Sequence, residues 1–305
     1  KFIRGMSLMK KKLFYDQKMA AWLMCAPAMA TLLIFVVIPF FMSFVYSFTN
    51  KQFVMGVNNP LRFVGLENYK RVLTSGDMIA AAKNTVKYTV YVVPALTILP
   101  LLLALLLNNR LKGMTIYRVI CFSPQVISMA VVSIVWAFIL GSSPNSMMNT
   151  IMGLLGILPQ GWLKDPSQSL FSIAVMSVWS AIGFNMIIYL SGIQFISQDI
   201  YEAAQMDGCT PVQKFFYITF PMLKNTVVFI VMTNIVSSLK LFTQVLVLTK
   251  GGPMKSTISL VYLIYETGFV KMQIGVSAAQ SVVFFVVVMV VSMIQSKVLL
   301  KEEKA

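Results

Sequence analysis

Histidine is absent from these 305 residues, which removes the commonest metal ligand and the commonest general base at neutral pH. Catalysis by the usual triads is thereby excluded, and neither a catalytic residue nor a metal site is expected. Acids are scarce: ten Asp and Glu stand against 25 Lys and Arg. Asp16, Glu67, Asp77, Asp165, Asp199, Glu202, Asp207, Glu266, Glu302 and Glu303 all fall in loops, tails or the margins of apolar runs. A proton-coupled carrier would bury such groups within its spans, so no acidic relay is available. The dipeptide Gly-Lys does not occur, so the phosphate-cradling loop G-x-x-x-x-G-K-[ST] of a primary pump is missing. If the protein moves something uphill, another subunit must supply the energy. The three cysteines, Cys25, Cys121 and Cys209, have no paired spacing and read as unpaired thiols.

Apolar surface is what the chain has in excess. At 58% hydrophobic and 11% charged residues, it carries more than a soluble domain of this size could hide, and its mean hydropathy is +0.79. The net charge of +15 does not signal nucleic acid. The basic residues edge the apolar runs instead of forming a stripe with interleaved aromatics.

A spanning helix needs about 20 mostly apolar residues. Six segments qualify, at 21–48, 85–107, 117–140, 170–194, 223–248 and 274–296, and six spans return both ends to one side. Lys10, Lys11, Lys12 and Lys18 precede the first, and Lys297, Lys301 and Lys304 follow the last. The positive-inside rule therefore predicts both termini in the cytoplasm. The same topology puts Arg110, Lys112, Arg118 and the 195–222 loop inside, and exposes 49–84, 141–169 and 249–273 outside. The bias is modest, because the outer segments and the helix edge beyond them still hold ten Lys and Arg, including Lys83 and Lys87. A basic start and Ala26-Pro27-Ala28 imitate a cleavable signal. Apolar character continues through Val36, Phe41 and Val45, which predicts an uncleaved anchor. The expected organisation is a short cytoplasmic segment 1–20, a six-span domain 21–298 and a cytoplasmic tail 299–305.

The 195–222 loop is the one polar, punctuated segment between two long apolar spans. Ser197 is placed to cap a short helix, with Asp199 in its first turn favouring the helix dipole. Gly208 permits the positive backbone angle that ends it. Thr210, Pro211 and Gln213 then read as a capping box opening a second helix. The result is a helix-turn-helix at the cytoplasmic face, with Tyr201, Ala203, Ala204, Phe215 and Phe216 as docking surface. An interfacial pair that only seals the bundle would share this pattern.

Glu202-Ala203-Ala204-x-x-Asp207-Gly208, followed by Ile218-x-x-Pro221, resembles the EAA loop of binding-protein-dependent ABC importer permeases. Thr249-Lys250-Gly251-Gly252-Pro253 is similar to the T-x-G-G-P segment of the sugar-specific branch, which also has a tryptophan before the loop, here Trp179. Phe63-Val64-Gly65-Leu66-Glu67-Asn68-Tyr69 resembles the F-x-G-L-x-N-Y segment after the first span. The likeness covers about residues 20–298. Cys209 departs from the usual alanine and Phe220 from the leucine before the proline. The large external insertion and two extra spans of the best-known maltose permease are absent.

The resemblance implies an all-α, six-helix type I ABC importer permease fold in a bacterial or archaeal inner membrane. Its coupling helix would enter the ATPase subunit with Glu202 at the contact, and Ala203, Ala204, Asp207 and Gly208 would shape the fit. The implied partners are a second, homologous permease, two ATP-binding-cassette ATPases, an extracytoplasmic solute-binding protein and membrane lipid. ATP and Mg would sit on the ATPases, with no cofactor on this chain. The implied cargo is a sugar, foremost an oligosaccharide.

A substrate path needs something wetter than lipid-facing Leu and Val. Ser177, Ser180, Phe184 and Asn185 in the fourth span, and Asn234, Ser237, Ser238 and Leu241 in the fifth, recur at helical spacing. Hydroxyls and amides beside an aromatic ring suit a sugar's hydroxyl rim and C–H faces. Ser, Ala and Asn equally mediate close helix packing in membranes. Lys240 is read as the basic residue deep in a span, facing a cavity, a partner helix or an anion such as glycerol phosphate. Pro94 and Pro100 are expected to kink the second span, the 22 methionines to serve as adaptable packing, and a short helix to lie near 147–155. The rival of a different class is an ion-coupled secondary carrier, disfavoured by the missing relay.

Overall fold

A computed structural model describes residues 19–54, 60–108 and 113–300. Lys10, Lys11, Lys12, Lys18, Arg110, Lys112, Lys301 and Lys304, which carried most of the orientation argument, lie outside the described residues. The chain is helical throughout, with one isolated bridge, Thr49 to Phe63, among the described residues. Four helices are long and apolar enough to cross a membrane: α1 (Met19–Tyr46), α3 (Gly76–Leu107), α7 (Ser169–Gln194) and α13 (Ile274–Leu300). The other two expected spans are bent pairs. One is α4 (Met114–Val126) with α5 (Met129–Ile139), at 99°, and the other is α9 (Pro211–Met222) with α10 (Lys224–Leu239), at 65°. Shorter helices complete the chain: α2 (Glu67–Thr74), α6 (Met147–Leu154), α8 (Gln198–Met206), α11 (Thr243–Leu248) and α12 (Leu260–Val270).

Two expectations are corrected here. The segment 117–140 is not one straight span. Pro124 has no N–H to offer the Ile120 carbonyl, which takes the Ser123 hydroxyl instead at 2.9 Å. The chain then turns extended at Ile127 and Ser128 before α5 begins. The segment 223–248 also breaks, because the helix ends at Leu239 and Phe242 leaves the helical region before α11. By contrast α3 runs unbroken through Pro94 and Pro100. Helix α6 matches the short helix expected near 147–155.

The core sits where α3 lies along α7, with α4 and α10 closing the sides. Tyr88, Val92, Leu96, Ile173 and Ala174 join Val245 of α11 and Leu263 of α12 in one buried cluster, and Leu101, Met186, Tyr189, Ile193, Leu223 and Ile230 form a second. Lipid tails are as apolar as these side chains, so close packing and not water exclusion holds the helices together. Small residues make that approach possible. A Cβ at Gly183 would lie 2.5 Å from the Cys121 carbonyl carbon and 2.7 Å from Phe122 Cα of α4, and one at Gly192 would lie 2.8 Å from Thr226 Oγ1 of α10. Helix α1 stands apart from this core with its apolar side chains exposed, touching α13.

The 63–69 and 249–253 motifs tie chain segments together outside the spans. Gly65 takes a φ of +57°, and Asn68 donates to the carbonyls of Ser47 at 2.9 Å and Thr49 at 2.8 Å. Tyr69 and Ser47 share a hydroxyl bond of 2.6 Å. The end of α1 is thus strapped onto α2, and the Gly275 N–H donates to Lys51 O at 2.7 Å to fasten α13 to the same strap. In the 249–253 motif, Thr257 donates to Gly252 O at 2.7 Å, and Asn84 of α3 holds the Lys255 and Ile258 carbonyls at 2.8 and 3.0 Å. Asn149, 2% exposed, organises the 141–168 loop by donating to Ser143 O and Gln160 O and accepting from Trp162 Nε1 at 2.7 Å.

Candidate functional site

The helix-turn-helix forms as its sequence demands. The Ser197 hydroxyl accepts from Asp199 N at 3.3 Å to start α8, and Gly208, at φ +77°, reverses the chain. The capping box closes in both directions: Gln213 N donates to Thr210 Oγ1 at 3.3 Å, and Thr210 N donates to Gln213 Oε1 at 2.8 Å. A hydroxyl bond of 2.9 Å between Tyr201 and the buried Thr219 locks α8 against α9. Phe215 packs on the second core cluster, and Leu223, fully buried, sits at the bend into α10.

This anchoring sorts the expected docking surface. Tyr201 is turned toward Thr219, Ala204 is buried, and Phe215 points into the bundle, so these three do not face outward as expected. Glu202, Ala203, Asp207 and Gly208 are exposed together, with Met206 and Phe216 beside them. A carboxylate at Glu202 on a rigid, projecting helix can make charge-assisted hydrogen bonds in a partner's cleft. Sequence reasoning missed the Tyr201–Thr219 tie, since two polar residues 18 positions apart carry no local signal.

The expected path residues divide in two. Ser177, Ser180, Asn185, Asn234, Ser238 and Leu241 are buried between helices. Asn234 of α10 donates to Asn185 of α7 at 3.4 Å, Ser238 of α10 donates to Thr89 of α3 at 2.9 Å, and Gln244 of α11 reaches Ser177 at 3.5 Å. These bonds form a polar seam joining the spans, to which Thr89 and Gln244 belong although spacing did not single them out. Phe184, Ser237 and Lys240 are all exposed. Lys240, read from the sequence as deep in a span, stands at the C-terminal end of α10. It is the residue on which α10 ends, its N–H donating to Ser237 O at 3.1 Å and its side chain exposed.

Outside the spans, two charged groups feel their surroundings. The Ser167 hydroxyl and N–H hold the Asp165 carboxyl below the usual carboxylate range, and the hydrogen bond and charge of Asp77 raise Lys255 above the usual amine range. Among the described residues, no group of three or more His, Cys, Asp or Glu could hold a metal ion.

Comparison with known proteins agrees with this architecture. Residues 84–301 match the family model described as binding-protein-dependent transport system inner membrane component. The chain is 32% identical to an arabinooligosaccharide transport permease of Bacillus subtilis, over 94% of this chain and 90% of that one. It is also 32% identical to a trehalose/maltose transport permease of Thermococcus litoralis, over 94% and 96%. Its fold matches a chain of a bacterial alginate ABC importer with a TM-score of 0.83 at 22% identity, over 95% and 99% of the two chains. Bent spans, the capped helix-turn-helix and these likenesses converge: the chain belongs to the family of inner-membrane components of binding-protein-dependent transport systems, the multi-pass permease subunits of ABC importers.

Proposed function

We propose that this permease passes a sugar, foremost an oligosaccharide, delivered by an extracytoplasmic solute-binding protein. It pairs with a second, homologous permease, and two ATPase subunits receive the two coupling helices. Both termini and the 195–222 loop face the cytoplasm, and 49–84, 141–169 and 249–273 face outward. ATP binding closes the ATPases, and the loop carries that movement into the spans as alternating access. The observation that carries this reading is the exposed Glu202 on a helix locked to the bundle through Tyr201 and Thr219. Relatives named for arabinooligosaccharides, trehalose and maltose, and lactose support the substrate class.

Glu202→Lys reverses the charge at the contact, and Gly208→Val forces a side chain into the left-handed region at a cost of about 1–2 kcal/mol. Space is not the obstacle at Gly208, where nothing lies within 4 Å of the position a Cβ would take. Both variants should reach the membrane and lose uptake of radiolabelled sugar. Undiminished uptake by both would remove the coupling role.

A second reading, import of an anion, is favoured by Lys240, exposed and without an ion pair among the described residues. A relative named for sn-glycerol 3-phosphate, 31% identical, adds to it. Lys240→Gln should then abolish uptake of a phosphorylated or uronic substrate, whereas under the sugar reading it spares a neutral one.

A further inference from the structure

At the junction of α2, α3, α12 and α13, two polar cavities of about 270 and 200 Å³ adjoin and share Arg71, Gln273 and Val276 as walls. No lining residue comes from α7 or α10, so this cleft is separate from the seam and from Phe184, Ser237 and Lys240. Its walls carry Lys51, Arg71 and Lys271 against Glu67 and Asp77. Asp77 is held by Lys255 at 2.5 Å, and Lys271 lies 3.5 Å from Glu266. Arg71 is exposed and has no ion pair or side-chain hydrogen bond among the described residues. Gln280, on the same wall, is only 5% exposed, yet its carbonyl oxygen has no donor. A buried amide left unfinished is uncommon in native proteins, and a side-chain amide can present either end to an incoming group. Thr267, 4% exposed, and Ser75 add hydroxyls to the same cleft.

We propose that this cleft is a carboxylate socket on the extracytoplasmic face, filled by an acidic side chain of the docked solute-binding protein. The proposal rests on the topology and partner of the preceding reading. Three facts point to this occupant. Three basic groups face two carboxylates on these walls, and one of them, Arg71, is a guanidinium whose planar fork matches a carboxylate with two parallel hydrogen bonds. At about 270 and 200 Å³ the cavities have room for an acidic side chain together with the waters that would hydrate it. The outward segments 49–84, 141–169 and 249–273 hold nine Lys and Arg against four Asp and Glu, an excess that runs against the usual positive-inside bias and suits an acidic partner surface.

The test uses the complete transporter in lipid nanodiscs, with the sugar-loaded solute-binding protein of the same system titrated against ATPase activity. Arg71→Glu should raise the half-saturating concentration of binding protein at least about tenfold, with the maximal rate held within about twofold. Gln280→Leu should raise it severalfold. Affinity in the wild type should fall as salt rises, and Arg71→Glu should flatten that dependence. An Asp→Arg or Glu→Arg change on the binding protein should restore tight docking to Arg71→Glu alone. Unchanged half-saturation in both variants, or a fall confined to the maximal rate, would overturn the socket while leaving the transport reading intact. A dependence on anionic lipid in place of binding protein would assign the cleft to a headgroup and also overturn it. A wild-type complex unresponsive to the binding protein would overturn both readings.

Discussion

Gly183→Ala adds one methyl group to the middle of α7, where α4 crosses it. That Cβ would stand 2.5 Å from the Cys121 carbonyl carbon and 2.7 Å from Phe122 Cα, and ordinary contact begins at 3.4 Å. Both neighbours are backbone, so no side-chain rotation relieves the clash, and α4 must retreat by about 1 Å. A gap of that size forfeits a quarter to a half of each dispersion contact along the interface, and overpacking of this kind costs about 1–3 kcal/mol or more. The alanine also gains about 1 kcal/mol of helix propensity, so the net effect should be a loss of up to about 2 kcal/mol or more. Because no hydrophobic force drives helices together in lipid, nothing else compensates. The assay is thermal unfolding of the detergent-solubilised complex, with Gly153→Ala on the short helix α6 as control, since nothing lies within 4 Å there. A melting temperature and yield for Gly183→Ala equal to wild type would refute the close-crossing argument.

The seam and the exposed face make opposite predictions. Asn234→Leu leaves the Asn185 oxygen without its donor in a buried site, at about 1–3 kcal/mol, so detergent stability should fall along with transport. Phe184→Ala, on an exposed side chain, should lower sugar uptake while melting and ATPase stimulation by loaded binding protein stay near wild type. If Phe184→Ala also disassembles the complex on native gels, the path lies elsewhere. Asp165 supplies the pH dependence. Its folded carboxyl titrates below its unfolded value of 3.8, so its contribution is complete above that pH and fades as pH falls through the folded value. Protection of the 141–168 loop in hydrogen exchange should therefore exceed that of Asp165→Ala near neutral pH, and the difference should vanish in strong acid.

Local chemistry was legible because it is written in adjacent residues. Ser197, Gly208, Thr210, Pro211 and Gln213 satisfy or reverse their own backbone, so spacing alone placed two helices and the turn between them. The six spans were countable because length and hydropathy suffice to recognise a span, but neither measures straightness. The third span broke at Ile127 and Ser128, just past Pro124, whereas the helix carrying Pro94 and Pro100 ran on, and nothing in the local sequence separates the two cases. The helix end at Lys240 was not legible for a related reason: apolar residues continue on both sides of it, and only the fold shows the break. The path residues were found by a helical stripe, which cannot distinguish a face toward a cavity from a face toward another helix. Long-range bonds such as Ser238 to Thr89, across 149 positions, decide that question.

Those same bonds determine how motion at the loop would reach the spans. Glu202 stands on α8, which is tied through Tyr201 to Thr219 on α9, and α9 runs through the buried Leu223 into α10. Helix α10 is in turn fixed to α7 by the close approach at Gly192 and the Asn185–Asn234 pair, and to α3 by Ser238 and Thr89. A displacement of α8 is therefore delivered to three spans at once and not to a single lever. The chain can yield where backbone hydrogen bonding is already interrupted: at the 65° bend, at the Lys240–Phe242 break, and at the Ile127–Ser128 corner, whose helix α5 packs on α11. Two of these joints flank α10, and the third touches the element that follows it. On the proposed coupling role, rotation of α10 between its two joints, with α11 and α5 following, requires the fewest broken contacts.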